Sequence, residues 1–307
     1  MLDGAMTPPA ETAPAMSAQL ACLLEATARK PGNVHRFRDF DDAHYLDFVV
    51  SASALDRLLT PERYRRLGLG PLIAEAVADS IRRVGHNTNL GMILLLAPLA
   101  SIEDDSADLR GALARILERT TIDDARAVFA AIRLARPGGL GSTGEQDVAG
   151  EPTVSLREAM RLASDRDAIA RQYVTAFEDV FEIGVPTLRG EIRVGRPLET
   201  AILRAHLTLM AQRPDTLIGR KCGPEIAAES SRRAAAVLDS GWPDRPSSGD
   251  ELRRLDDWLR ADGHSRNPGA TADLIAACLF VALREGTIEF PKHVNRSGWE
   301  CVSLSRS

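Results

Sequence analysis

Residues Leu90 to Ile102 form an unbroken uncharged run, LGMILLLAPLASI. Such a run is too short to cross a bilayer, and Pro98 lies inside it. A helix apolar on every face has to be buried. This run is therefore expected to be the core helix, with the rest of the chain packed around it. Helix-forming residues dominate elsewhere, and aromatics make up only 5% of the sequence, a balance that favours helix over sheet. The one short strand candidate, TIEFPKHV from Thr287, is spoiled as an interior strand by Pro291. The expected fold is all-α: a single multi-helix globular domain over residues 16–307 with no substantial sheet, after a disordered tail at 1–15.

Helical periodicity and capping signals place the elements. A first helix is expected from Ser17 to Arg29, stopped by Pro31-Gly32. A second, capped by Asp41 or Asp42, runs through AHYLDFVVSASALDRLL, and Pro71 sits in the first turn of a third that reaches about Val84. SADLRGALARILER and TIDDARAVFAAIRLA follow the apolar run; Thr121 with Asp124 approximates a capping box in the latter. Ser155 with Glu158 starts another helix, and 165–182 reads as one long amphipathic helix. The last four are expected over 198–212, 224–238, 248–259 and 268–284.

Composition narrows the function classes. A net charge of -5 argues against wholesale nucleic-acid binding but leaves room for a local basic pocket. The four cysteines have no metal-type spacing and read as reduced thiols of a cytoplasmic protein. The opening residues do not resemble a secretory signal, and no segment reads as a membrane span. No P-loop, HExxH or GxSxG motif is present.

Several patches carry candidate chemistry. The apolar run is preceded by His86-Asn87-Thr88-Asn89. These residues either cap the helix or aim its free N–H groups at a bound anion. GLGSTG, from Gly139 through Gly141 to Gly144, has the G-x-G-x-x-G spacing but lacks the preceding strand a dinucleotide fingerprint needs. It reads instead as a glycine-dense loop, either a plain connector or a phosphate contact, whose carboxylates, Asp147 among them, can hold Mg²⁺. ARKPGNVHRFRDFDDAHYLDF gathers Lys30, His35, Arg36 and Arg38 ahead of four aspartates, pinned by aromatics. It is either a solvated charged turn or the lining of a cleft. PDTLIGRKCG sets Asp215 about a turn before Arg220 and Lys221, as an intrahelical ion pair or as a metal and phosphate clamp. In RNPGATADLI, Asn267, Pro268 and Asp273 read as ordinary capping chemistry.

Taken in order, KPGNVHRF, AHYLDF, HNTNLGMILLLAPL, PGGLG…DV, DTLIGRK and NPGATADLI resemble the triphosphoribosyl-dephospho-CoA synthase family, from about Glu25 to Phe280. The resemblance implies an all-helical enzyme. Such an enzyme breaks the bond between ribose C1′ and adenine in ATP and joins C1′ to a hydroxyl of dephospho-CoA. On the matching motifs Lys30, Gly32, His44 and Asp47 fall on the family's Lys-Pro-Gly and Ala-His-x-Asp elements, and Asn87, Thr88 and Gly91 on its Asn-Thr-His-Lys-Gly element. There are two departures. Asn89-Leu90 stands where the family has His-Lys, and one extra residue separates His44 from Asp47. They leave open a ribitol-bearing tetrahydromethanopterin precursor as acceptor.

The reading that follows assigns catalysis to Glu25, His44 and Asp47, with Glu25 or Asp47 as base. Substrate binding falls to Lys30, Asn33, Arg36, Asn87, Thr88, Asn89, Gly139, Gly141, Arg220 and Lys221. Mg²⁺, brought with ATP, falls to Asp147 and Asp215. The expected partners are ATP and a small-molecule hydroxyl acceptor, with no nucleic acid, no membrane and a homodimer left open. The competing classes are a non-catalytic nucleotide-binding helical protein and a helical N-ribosyl hydrolase.

Overall fold

The structure is a computed structural model, and it describes residues 13–102, 108–138, 147–289, 293 and 299. Sixteen α-helices and one π-helical turn are described. They are α1 (Pro14–Thr27), α2 (Tyr45–Ala52), α3 (Leu55–Leu58), α4 (Pro61–Leu67), α5 (Leu69–Val84), α6 (Leu90–Ala100), α7 (Leu109–Glu118) and α8 (Ile122–Ala135). Next come α9 (Leu156–Ala163), α10 (Ala168–Thr175), the π-turn (Asp179–Gly184), α11 (Val185–Arg193) and α12 (Leu198–Gln212). Last are α13 (Thr216–Cys222), α14 (Pro224–Asp239), α15 (Ser248–Arg260) and α16 (Gly269–Arg284). Among the described residues no strand forms; the one β-bridge joins His35 to Arg38. The fold is all-α, as the periodicity predicts.

The apolar run is α6, buried at every position except Gly91. It shares the centre with α16, which packs against α1, α6, α11 and α12. Pro98 cannot donate to the carbonyl of Leu94, four residues back. The hydroxyl of Tyr173, fully buried on α10, donates to that carbonyl at 2.6 Å and fills the gap.

Capping shows why several elements start where they do. Thr121 and Asp124 form the predicted box at the start of α8, and the other Asp124 oxygen accepts from Gly70 N–H at 2.7 Å. A Cβ on Gly70 would overlap the Asp124 backbone, so this glycine lets α5 lie directly on α8.

Some boundaries differ from expectation. α1 begins at Pro14, inside the stretch expected to be tail. The second helix is capped by His44 with Asp47, not by Asp41 or Asp42, and it ends at Ala52 before a separate α3. The third helix starts at Leu69 with Pro71 in its first turn, as expected, while α4 and α11 went unread. The long helix expected over 165–182 is broken. Ala176 and Phe177 take left-handed backbone, φ 47° and 58°, and Phe177 is driven fully into the core. Buried Asp179 holds the break by accepting from Arg171, Gln172 and Arg213, which compensates the strain of two non-glycine residues at positive φ. Half of TIEFPKHV, Phe290 to Lys292 and Val294, lies outside the described residues.

Candidate active site

The first turns of α6 and α16, the side of α1, and the ends of α8, α10 and α13 enclose a cavity of about 870 Å³. Its wall includes Glu25, Asn33, Asn87, Thr88, Asp147, Arg220 and Lys221, which the sequence places far apart.

Glu25 sits on α1, 3% exposed, with Oε1 2.8 Å from Lys30 Nζ. Burial raises its carboxyl above the usual carboxylate range, and the Lys30 charge and hydrogen bond offset this only in part. Lys30 itself is fully buried and outside the cavity wall. Its ammonium also donates to the carbonyls of Glu25 and Ala28. The Lys-Pro-Gly turn thus delivers a counterion for Glu25 rather than a phosphate clamp. Gly32 makes the turn possible. Its φ is 73°, its N–H donates to Asp256 at 2.7 Å, and a Cβ there would crowd Leu259.

The start of α6 is unusual for its unsatisfied polar atoms. Asn89 is the N-cap residue but its side chain makes no capping bond; Asn87 Oδ1 accepts from Leu90 N–H at 3.1 Å in its place. Asn89 points away, accepting from Ser80 at 2.7 Å, and is not on the wall. His86 Nε2, Thr88 Oγ1 and Asn89 Nδ2 are buried without a hydrogen bond, and so is Arg220 Nε across the cavity. Buried groups of this kind ordinarily have partners. Of these, His86 and Thr88 lie on the wall at the positive end of α6 and Arg220 joins the wall from α13, an arrangement suited to an anion.

Arg220 is anchored by Asp167 at 2.5 Å, and Lys221 by Asn267 Oδ1 at 3.1 Å. Burial lowers the Lys221 ammonium. Arg133, Arg136 and Arg166 add cations to the wall that the sequence did not single out, and Asp167 and Asp273 add carboxylates. Asp273 was read as a capping residue; it instead faces the cavity from the second turn of α16.

Other assigned residues lie elsewhere. Arg36 donates to buried Glu199 at 2.7 Å alongside Arg29 and to the Thr27 carbonyl, and is not on the wall. Burial pushes the Glu199 carboxyl up, but these two guanidiniums outweigh it and hold the group near 2. His44 and Asp47 form the reciprocal cap of α2 outside the wall, and Asp47 Oδ2 lies 3.6 Å from His86 Nε2 at the rim. Asp215 has one oxygen capping α13, through the N–H groups of Leu217 and Ile218. The other accepts from the Thr271 N–H and hydroxyl at 2.8 Å each. It joins α13 to α16 and has little capacity left for a metal. Asp147 is on the wall, with Oδ1 accepting from Ala149 N–H at 2.8 Å. Among the described residues no three His, Cys, Asp or Glu side chains could hold a metal ion. The donor set does not fit a resident Mg²⁺ cage. Gly139 and Gly141 lie outside the described residues.

The family model for ATP:dephospho-CoA triphosphoribosyl transferase (CitG) matches residues 11–291. The chain belongs to this family. Relatives named "Probable 2-(5''-triphosphoribosyl)-3'-dephosphocoenzyme-A synthase" include one from Pseudomonas savastanoi pv. phaseolicola, 28% identical over 76% of this chain and 73% of its own. Another, from Pseudomonas putida, is 29% identical over 68% of this chain and 71% of its own. The transferase also resembles a crystal structure of an Archaeoglobus fulgidus protein described as a candidate triphosphoribosyl-dephospho-CoA synthase. The two agree with a TM-score of 0.57 at 27% identity, over 79% of this chain and 97% of the other. The transferase is an enzyme of this type. Among the described residues none of its helices is long and apolar enough to cross a membrane.

Proposed function

We propose that the transferase moves the triphosphoribosyl group of ATP to a hydroxyl of dephospho-CoA, with release of adenine, in the cavity at the start of α6. The observation that carries this reading is the coincidence of three features in one enclosure: unsatisfied donors at a helix N-terminus, a pair of cations on α13, and carboxylates on α1 and α16. Phosphate oxygens of ATP satisfy His86, the free N–H groups of α6 and Arg220, while Lys221 adds charge. Breaking the C1′–N9 bond builds positive charge on the ribose ring, as in glycoside chemistry. Glu25, fixed by Lys30, supplies the negative charge that stabilises it. Lys30 and Asp47 position rather than touch: the first holds Glu25, the second stands beside His86. Any Mg²⁺ arrives on the triphosphate, since no resident cage is available among the described residues.

The acceptor rests on the family and on the names of the relatives. They support dephospho-CoA and give the ribitol-bearing pterin no support. The test is incubation with ATP, Mg²⁺ and dephospho-CoA, with adenine followed by chromatography and the product by mass. Adenine release that depends on dephospho-CoA, with the matching adduct mass, is expected. Equal release in water alone would make the protein a ribosyl hydrolase, and ATP binding without release would make it a nucleotide-binding module.

A further inference from the structure

The transfer leaves a proton to be moved. The electron pair of the C1′–N9 bond departs with adenine, which then needs a proton. The acceptor oxygen forms the new bond to C1′ and must lose one. Among the described residues the cavity wall holds five carboxylates, and four are engaged. Glu25 is tied to Lys30, Asp167 to Arg220 and the start of α10, Asp147 to Ala149 N–H, and Asp42 lies 3.4 Å from His264. Asp273 accepts no hydrogen bond from any described residue. Its carboxylate lies directly against the Cα of Gly91 in the first turn of α6, where an added Cβ would overlap Oδ2. Gly91 is thus the cradle that admits this side chain beside the α6 end of the cavity.

Resting on the reading of the cavity given above, we propose that Asp273 is the catalytic proton carrier of the transfer. Its carboxylic acid protonates adenine as the C1′–N9 bond breaks. The carboxylate so formed then takes the proton of the acceptor hydroxyl as the C1′–O bond forms, and the acid is restored. The electrostatics agree. Burial, then the charges of Glu25, Asp215 and Asp167, hold this carboxyl well above the usual range, with Arg220 opposing. The neighbouring pair has divided roles: Lys30 favours charge on Glu25, while nothing bonded to Asp273 does.

The test is Asp273→Asn in the full chain, read by single-turnover release of the base with two donors. ATP needs a proton on its departing base. Nicotinamide riboside 5′-triphosphate does not, because its pyridinium leaves as a neutral pyridine. Adenine release from ATP is expected to fall at least about a hundredfold while ATP affinity stays within about threefold. The loss with the pyridinium donor is expected to be at least about tenfold smaller than with ATP, since the acid half of the role is no longer needed and only removal of the acceptor proton is impaired. Equal losses with the two donors, or a loss of ATP affinity that accounts for the drop, would overturn the proposal. Gly91→Ala, which puts a methyl where the carboxylate lies, is the second variant and is expected to lower turnover on ATP in the same donor-dependent way. Wild-type adenine release, measured alongside, tests the underlying reading separately.

Discussion

Replacing Lys30 with methionine keeps the unbranched apolar stem of the side chain and removes its charged end. The structure makes this a test of stability rather than of phosphate binding. Lys30 is fully buried, its Nζ lies 2.8 Å from Glu25 Oε1, and it also serves the carbonyls of Glu25 and Ala28. Removing one partner of a buried pair strands the other charge, which costs about 3–5 kcal/mol. The penalty has a pH signature. Without the ammonium, burial raises the Glu25 carboxyl further, so the folded variant holds a proton that the unfolded chain has lost. A group whose folded pKa lies above its unfolded value contributes stability at low pH and loses it as pH rises toward the folded pKa. The deficit of the variant should therefore be smallest near pH 4, around the usual glutamate pKa of about 4.3, and grow at up to about 1.4 kcal/mol per pH unit above it. Urea unfolding at several pH values, followed by the fluorescence of buried Trp242, measures it. The double variant Glu25→Gln/Lys30→Met should recover much of the loss, because no charge is left to strand. A single variant within 1 kcal/mol of wild type at every pH, but with weakened ATP binding, would refute the counterion argument and return Lys30 to the phosphates.

Two further outcomes follow from the packing. Tyr173→Phe leaves the Leu94 carbonyl with neither Pro98 nor a hydroxyl to satisfy it, and should cost about 1–3 kcal/mol in urea unfolding. Asp215→Asn should lower stability by a similar amount, about 1–3 kcal/mol, because the amide cannot accept both the Thr271 bonds and the α13 cap as well as a carboxylate does; its Mg²⁺ dependence of turnover should match wild type, and a shifted dependence would restore Asp215 as a metal ligand.

The helices were legible wherever a local signal sufficed. The uncharged run demanded a buried helix, and α6 is that helix. Thr121 with Asp124 and Ser155 with Glu158 marked starts that the structure keeps. The misread boundaries share a physical origin. The chain breaks after Thr175 because Phe177 reaches the core and Asp179 finds three partners, two nearby in sequence and Arg213 just past the end of α12. A helical period cannot carry that information, since the decisive contact spans 34 residues.

The site shows the same division more sharply. Residue type identified groups able to hold phosphate or bear a charge, and the cavity collects Glu25, Asn87, Thr88, Arg220 and Lys221 from separate motifs. Type could not say which charges face the cavity and which are consumed by one another. Lys30, Arg36 and Asp215 look like ligand-binding groups in sequence, yet each is tied to protein partners: Glu25, Glu199 and Thr271. Asp273 is the converse case. Four residues into α16, it passes for part of a helix start until Gly91, 182 positions earlier, is seen to make room for its carboxylate. The glycine explains the aspartate. A side chain on Gly91 would have closed the gap between the two central helices, and the carboxyl left without a protein partner would then have had no cavity to face.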